Sequence, residues 1–212
     1  MQNLQLTSDS TADPIVYVID DDKDVRDALL DLFEATKRRA TAYSSGHEFL
    51  STADTSAPGC VVVELRMPEG TGLDVQSHLI AIGSRMPVIF LTADADVPAS
   101  IRAMKAGAAD FLTKPFVNQD LLDAVDHAIR QDGARRKLKR DRDRIRALVD
   151  TLTPRELEVM FGVISGLMNK QVAYQLGISE MTVKLHRMSV MRKMQSRSLA
   201  DLVRKAEKLQ RN

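Results

Sequence analysis

The first half of the chain alternates short, continuous apolar runs with segments of helical spacing. No other feature restricts the fold as much. The runs are IVYVI (15–19), ATAY (40–43), CVVVEL (60–65), PVIFLT (87–92) and DFLTK (110–114). Most are unbroken rather than alternating, as expected of strands buried on both faces. ATAY is the weakest of the five, being short and built partly from Thr and Ala. Between the runs, Asp24 to Ala35 carries Val25, Ala28, Leu29, Leu32 and Phe33 at helical spacing. Leu73 to Ile82, Val97 to Ala106 and Gln119 to Ile129 behave in the same way. This order predicts an α/β fold with a parallel sheet and helices on both faces.

After Gly133 the character changes. ARRKLKRDRDRIRALVDTL is highly charged, with Leu138, Ile145 and Leu152 at every seventh position and Leu148 between them. That thin heptad seam fits a helical linker that pairs with a second copy, or equally a solvated single helix. From Thr153 onward the pattern is helical with short breaks. Thr153 is placed to cap a helix, with Pro154 at its first position and Glu156 three residues after the cap. The expected domains are therefore a polar, flexible tail (1–13), an α/β domain (14–131), a helical linker (132–150) and a small all-α domain (151–212).

Charge separates the halves. Residues 1–133 hold 11 Lys/Arg against 21 Asp/Glu, a net of −10, and residues 134–212 hold 19 against 8, a net of +11. The overall charge of +1 conceals this. A basic C-terminal module fits a nucleic acid or an anionic membrane surface, the plainer reading being a solvated basic face. The single cysteine, Cys60, excludes an intrachain disulfide framework and fits a reducing cytoplasm. It reads as a small core residue. The first residues have neither the basic region nor the apolar stretch of a signal peptide. No run approaches the length of a membrane span.

The chemistry collects at the ends of the runs. Asp20, Asp21 and Asp22 follow the first, Glu64 closes the third, Thr92 the fourth and Lys114 the fifth. In an open parallel sheet these ends share one edge, which forms the binding crevice. Clustered carboxylates repel unless a cation joins them, and an oxygen-rich cluster suits a hard ion such as Mg²⁺. Helix capping accounts for Asp22 or Asp24, but not for three successive Asp residues with Glu64. Carboxylates flanked by a hydroxyl and an ammonium suit a phosphoryl group.

VIDDDKDVR, LRMPEGTG and FLTADADVPASIRAMKAGAADFLTKPF resemble the receiver domain of two-component response regulators. LTPRELEVM…GLMNKQVAYQLGISEMTVKLHRMSVMRKM resembles the LuxR-type helix-turn-helix output domain. Together they are similar to the FixJ/NarL family, with FixJ- and StyR-like character. The resemblance implies a flavodoxin-like (βα)₅ receiver joined by a helical linker to a four-helix DNA-binding domain. It implies a cytoplasmic transcription regulator, not an enzyme, that takes a phosphoryl group from a sensor histidine kinase and dimerises when active. Promoter DNA is the expected partner, and RNA polymerase is a further candidate. By the same resemblance, Asp20 and Asp21 form the acidic site for Mg²⁺ (or Mn²⁺), with Glu64 beside them and a backbone carbonyl from Arg66. Thr92 and Lys114 contact phosphoryl oxygens, Phe111 is the aromatic switch residue, and the peptide before Pro115 is cis.

The chain departs from the family at Glu64, where relatives carry the phosphoryl-accepting Asp. The Met-Pro pair and Gly72 fix this register, and Asp74 lies in the next helix. The extra methylene carries the carboxylate about 1.5 Å further out. A misplacement of about 1 Å can cost on the order of a hundredfold in transfer. Weak or absent phosphorylation at Glu64 is expected. The longer side chain also carries negative charge towards Thr92 and Lys114, imitating a phosphorylated Asp with less charge. Two outcomes are open, partial activation and plain inactivation, as are two origins, a deliberate replacement and a natural atypical receiver. A further alternative is a regulator that works without phosphorylation, its receiver serving as a dimerisation or protein-interaction module.

In the second half, QVAYQLG and SEMTVKLHRMSVMRK flank a turn at Gly177, the arrangement that lays a second helix in the DNA major groove. Ser179 can cap that helix. Ala173, Leu176, Ile178 and Val183 look like contacts between the two helices. The resemblance puts Lys184, Leu185 and Met188 at base-facing positions, with Thr182, His186 and Arg192 as candidates for phosphate contact. Met188 suits a thymine methyl, and His186 has a structural alternative. The final helix, SLADLVRKAEKL, resembles the dimerisation helix of such output domains.

Overall fold

A computed structural model describes residues 13–93 and 97–210. The expected tail, 1–13, lies almost wholly outside the described residues. The chain divides into two compact units, Met1–Arg135 and Arg136–Asn212.

The first unit is built on β1 (Ile15–Ile19), α1 (Lys23–Ala35), β2 (Arg39–Tyr43), α2 (Gly46–Thr52) and β3 (Gly59–Glu64). A two-stranded hairpin, β4 (Arg66–Met67) and β5 (Gly70–Thr71), precedes α3 (Gly72–Ala81). Then follow β6 (Val88–Thr92), α4 (Val97–Lys105), β7 (Asp110–Thr113) and α5 (Asn118–Val149). The five main strands pair in parallel in the order β2-β1-β3-β6-β7. This is the flavodoxin-like α/β fold.

Strand periodicity sends alternate side chains to opposite faces. On one face Val16, Val18, Cys60, Val62, Ile89 and Leu91 pack with Leu29 and Phe33 of α1 and Leu121 and Val125 of α5. On the other, Tyr17, Ile19, Val61, Val63 and Phe90 pack with Phe49, Val75, Leu79 and Ala103 from α2, α3 and α4. Both faces are covered, which is why the central runs are continuously apolar. β2 is an edge strand and correspondingly half-exposed. Cys60 is buried in the first layer, and burial pushes its thiol up to about 12.

The hairpin and α2 carry no strong sequence periodicity. α2 is short and buries only Phe49, with Ser45 capping it through Glu48 N. α5 extends well past Ile129, where the periodicity ends, and the division between the two units falls within it. Gly133 does not interrupt it: a mid-helix glycine costs only about 1 kcal/mol relative to Ala. Next to it, the buried Asp132 carboxylate pairs with Arg135 and accepts from Gly59 N at 3.2 Å.

The second unit contains α6 (Pro154–Ile164), α7 (Asn169–Leu176), α8 (Glu180–Lys193) and α9 (Leu199–Gln210). Its core joins Val159, Met160, Val163, Val172, Val183, Val190, Met194 and Leu202. Ile145, Leu148 and Leu152 pack into the same core, while Leu138 stays exposed. Most of the heptad seam is therefore consumed within the chain and is not left for a second copy.

Candidate functional site

Sheet order decides where the strand-end chemistry meets. The chain direction across the sheet reverses between β1 and β3, the point at which open α/β sheets bind ligands. Ile19 is in register with Val63, Glu64 with Leu91, and Thr92 with Thr113. Asp20, Glu64, Thr92 and Lys114 are thus brought to one edge. Together with Asp21 and Arg66 they line a cleft of about 300 Å³. Phe111 does not line it. Its ring lies 6.2 Å from that of Phe90 and packs against the second core layer.

Asp20, Glu64 and Thr92 are buried. Lys114 reaches across the edge, its Nζ 2.7 Å from Asp20 Oδ2 and 2.7 Å from Glu64 Oε2. The remaining oxygens are held by backbone. Glu64 Oε1 accepts from Leu65 N at 2.7 Å and Arg66 N at 3.3 Å, and Asp20 Oδ1 accepts from Asp22 N at 2.9 Å. Burial acts to lower the Lys114 pKa. The hydrogen bonds and charges of Asp20 and Glu64 outweigh it, so the ammonium is held above its ordinary value. Lys114 N donates to Thr92 O at 2.7 Å, and the Lys114–Pro115 peptide is cis.

An oxygen-rich donor set of this kind fits a hard divalent ion. Here, however, the Lys114 ammonium pairs with both buried carboxylates, so an ion must compete with it. Among the described residues no group of three or more His, Cys, Asp or Glu is assembled to hold a metal.

In the second unit, α7 ends at Gly177 with φ 63°, the left-handed conformation that glycine adopts without penalty. Ser179 Oγ then accepts from Thr182 N at 3.0 Å and starts α8. Ala173 and Val183 are buried between the helices, with Leu176 and Ile178 against them. The result is helix, tight turn, helix. Lys184, Leu185, Met188 and Arg192 are exposed, whereas Thr182 and His186 are half-buried. The Thr182 hydroxyl lies 2.8 Å from Ser179 Oγ. Arg187 turns back to Asn169 Oδ1 at 3.2 Å.

Residues 16–126 match the model of the response regulator receiver domain, and residues 150–206 match that of bacterial regulatory proteins of the luxR family. The chain belongs to the response regulator family. Nodulation protein W of Bradyrhizobium diazoefficiens is 44% identical over 95% of this chain and 89% of its own length. The transcriptional regulatory protein FixJ of the same organism is 40% identical over 90% of this chain and 93% of its own. The solved structure of the response regulator StyR is 42% identical, covers 93% of this chain and all of its own, and has a TM-score of 0.86. This response regulator is a DNA-binding transcription regulator, not an enzyme. Its two modules imply DNA and a sensor kinase as partners, and receiver domains generally bind Mg²⁺ at their phosphorylation site. Among the described residues no helix is long and apolar enough to cross a membrane.

Sequence reasoning missed the part played by the backbone. The N–H groups of Leu65 and Arg66 fix one Glu64 oxygen. The only available signal was the Leu-Arg-Met-Pro turn that follows the strand.

Proposed function

We propose that Glu64 occupies the position of the phosphoryl-accepting aspartate and does not accept a phosphoryl group. The observation that carries this is the Lys114 ammonium, 2.7 Å from both Glu64 Oε2 and Asp20 Oδ2. Glu64 has already reached the lysine that would otherwise steady an incoming phosphoryl oxygen. Its other oxygen is spent on two backbone N–H groups. The receiver is thereby held in one electrostatic state, as a phosphomimetic or non-phosphorylatable form. Thr92 completes the phosphoryl pocket and Phe111 serves as the switch residue. Asp20, Asp21, Glu64 and the Arg66 carbonyl would hold Mg²⁺ (or Mn²⁺), in competition with Lys114. On the output side, Lys184, Leu185 and Met188 face bases, and Thr182, His186 and Arg192 face phosphates. The regulator works in the cytoplasm as a homodimer on its operator, within reach of RNA polymerase.

A second reading rests on α4, where Ile101 and Met104 are both about half exposed. Such apolar side chains favour a receiver that serves as a protein-interaction module independent of phosphorylation. One experiment separates the two. The full chain and Glu64→Asp are treated with acetyl phosphate, followed by intact mass and operator affinity. The proposal expects Glu64→Asp to gain one phosphoryl group and the parent chain none, with the parent's affinity unmoved by the donor. Stoichiometric phosphorylation of Glu64 overturns it. Affinity unmoved by the donor in both proteins, despite labelling of Glu64→Asp, favours the second reading.

A further inference from the structure

The exposed face of α8 is apolar at positions where a DNA-reading helix ordinarily carries hydrogen-bonding side chains. Met181, Leu185 and Met188 are 65%, 61% and 70% exposed. Their spacing of four and three residues puts them in one stripe. The opposite face sends Val183 and Val190 into the core. Grouped exposed apolar side chains of this size mark a binding surface.

Charge selects the occupant. α8 carries Lys184, Arg187, Arg192 and Lys193 against the single acid Glu180, within a half of the chain whose net charge is +11. That balance suits a polyanion. The stripe also lies on the second helix of the helix-turn-helix, the element that enters the major groove. There the one apolar group that a base pair displays is the C5 methyl of thymine. Of Met181, Lys184, Leu185 and Met188, only Lys184 can donate a hydrogen bond. No Arg, Asn or Gln stands among them to make a bidentate contact to guanine or adenine.

We propose that this regulator selects its operator through thymine methyl groups, which Leu185 and Met188 contact and Met181 shields from water. Lys184 supplies the single hydrogen-bonded base contact. The half-site is thus defined by the placement of its thymines. The proposal rests on the DNA-binding reading and adds the chemistry by which that surface discriminates.

The probe is the duplex recovered by selecting random-sequence DNA on the full chain. Each thymine is replaced in turn by deoxyuridine, which removes the methyl and leaves every hydrogen-bonding group in place. Affinities are measured for the parent, Leu185→Ala and Met188→Ala, with circular dichroism to verify folding; both residues are exposed. The expected result is a loss of about fourfold at one or more thymines, the value of one buried methyl group. That loss should disappear in at least one of the two variants. The proposal fails if no deoxyuridine weakens binding, or if the losses persist undiminished in both variants. Sequence-selective binding insensitive to deoxyuridine removes this proposal alone. Failure to bind any duplex removes the DNA-binding reading with it. Tighter binding by the variants assigns the stripe to a protein cover and overturns the proposal.

Discussion

Lys114 Nζ stands 2.7 Å from Glu64 Oε2, and the same ammonium stands 2.7 Å from Asp20 Oδ2. Both carboxylates are buried, so neither keeps the hydration that would make its charge cheap. One cation serving two buried anions leaves the trio with a residual negative charge. The backbone N–H groups of Asp22, Leu65 and Arg66 absorb part of it. The arrangement makes Lys114 the residue on which the sheet edge depends.

Replacing Lys114 with Gln leaves two unpaired buried carboxylates. Breaking a buried pair by removing one partner costs about 3 kcal/mol or more. Urea unfolding of Lys114→Gln should show that loss at neutral pH.

The parent chain should respond at the opposite end of the pH scale. The folded-state pKa of Lys114 lies above its ordinary 10.5, so the folded state holds this proton more tightly than the unfolded chain. Its contribution to stability is fully present below that ordinary value and is lost as pH rises through the folded value. Thermal unfolding in alkaline buffers should show the parent losing stability more steeply than Lys114→Gln.

In the second unit, buried Glu156 accepts from Lys193 Nζ at 2.6 Å, Ser189 Oγ at 2.5 Å and Thr153 N at 2.8 Å. The Lys193 bond leads these in holding its carboxyl at about 2, below the ordinary 4.5. Here the unfolded chain binds the proton more readily. The stabilisation is present above the ordinary value and disappears as pH falls towards 2. Glu156→Gln should cost about 2 kcal/mol at neutral pH and flatten the acid limb of the stability curve. A curve with its acid limb unchanged would count against this network.

Gly72 begins α3 against the strand that delivers Glu64. A Cβ there would lie 2.8 Å from Glu64 O and 2.9 Å from the Phe90 ring. Gly72→Ala should therefore cost about 1–3 kcal/mol through overpacking. Denaturant midpoints measure it, and a neutral outcome would mean that β3 yields without strain.

Ser179 Oγ satisfies Thr182 N at the start of α8. Ser179→Ala should cost about 1 kcal/mol, read by thermal melting of the full chain. Ser179→Asp, which retains a capping oxygen, should recover most of it.

Much of this was legible in the chain itself. Continuous apolar runs alternating with helical spacing required a parallel sheet covered on both faces. Strand length then left Asp20, Glu64, Thr92 and Lys114 at the carboxyl ends. The Thr153 capping box, the Gly177 turn and the Ser179 cap were each encoded locally, within four residues. Tertiary structure decided the rest. Periodicity cannot say which strands pair, because hydrogen bonds between strands join residues far apart in sequence. The adjacency of β1 and β3, and with it the meeting of Asp20 and Glu64, follows from the sheet order. So does the reach of Lys114 to both: an ammonium at a strand end pairs with whatever charge the fold brings near. Packing also overrode local signals. α5 runs through Gly133, and Ile145 and Leu152, spaced for a partner helix, are taken up by the core of their own unit. The sequence determined which chemistry stands at the sheet edge. Only the fold decided that Glu64 and Asp20 would share one lysine, because a side chain's partner is set by spatial proximity rather than by spacing along the chain.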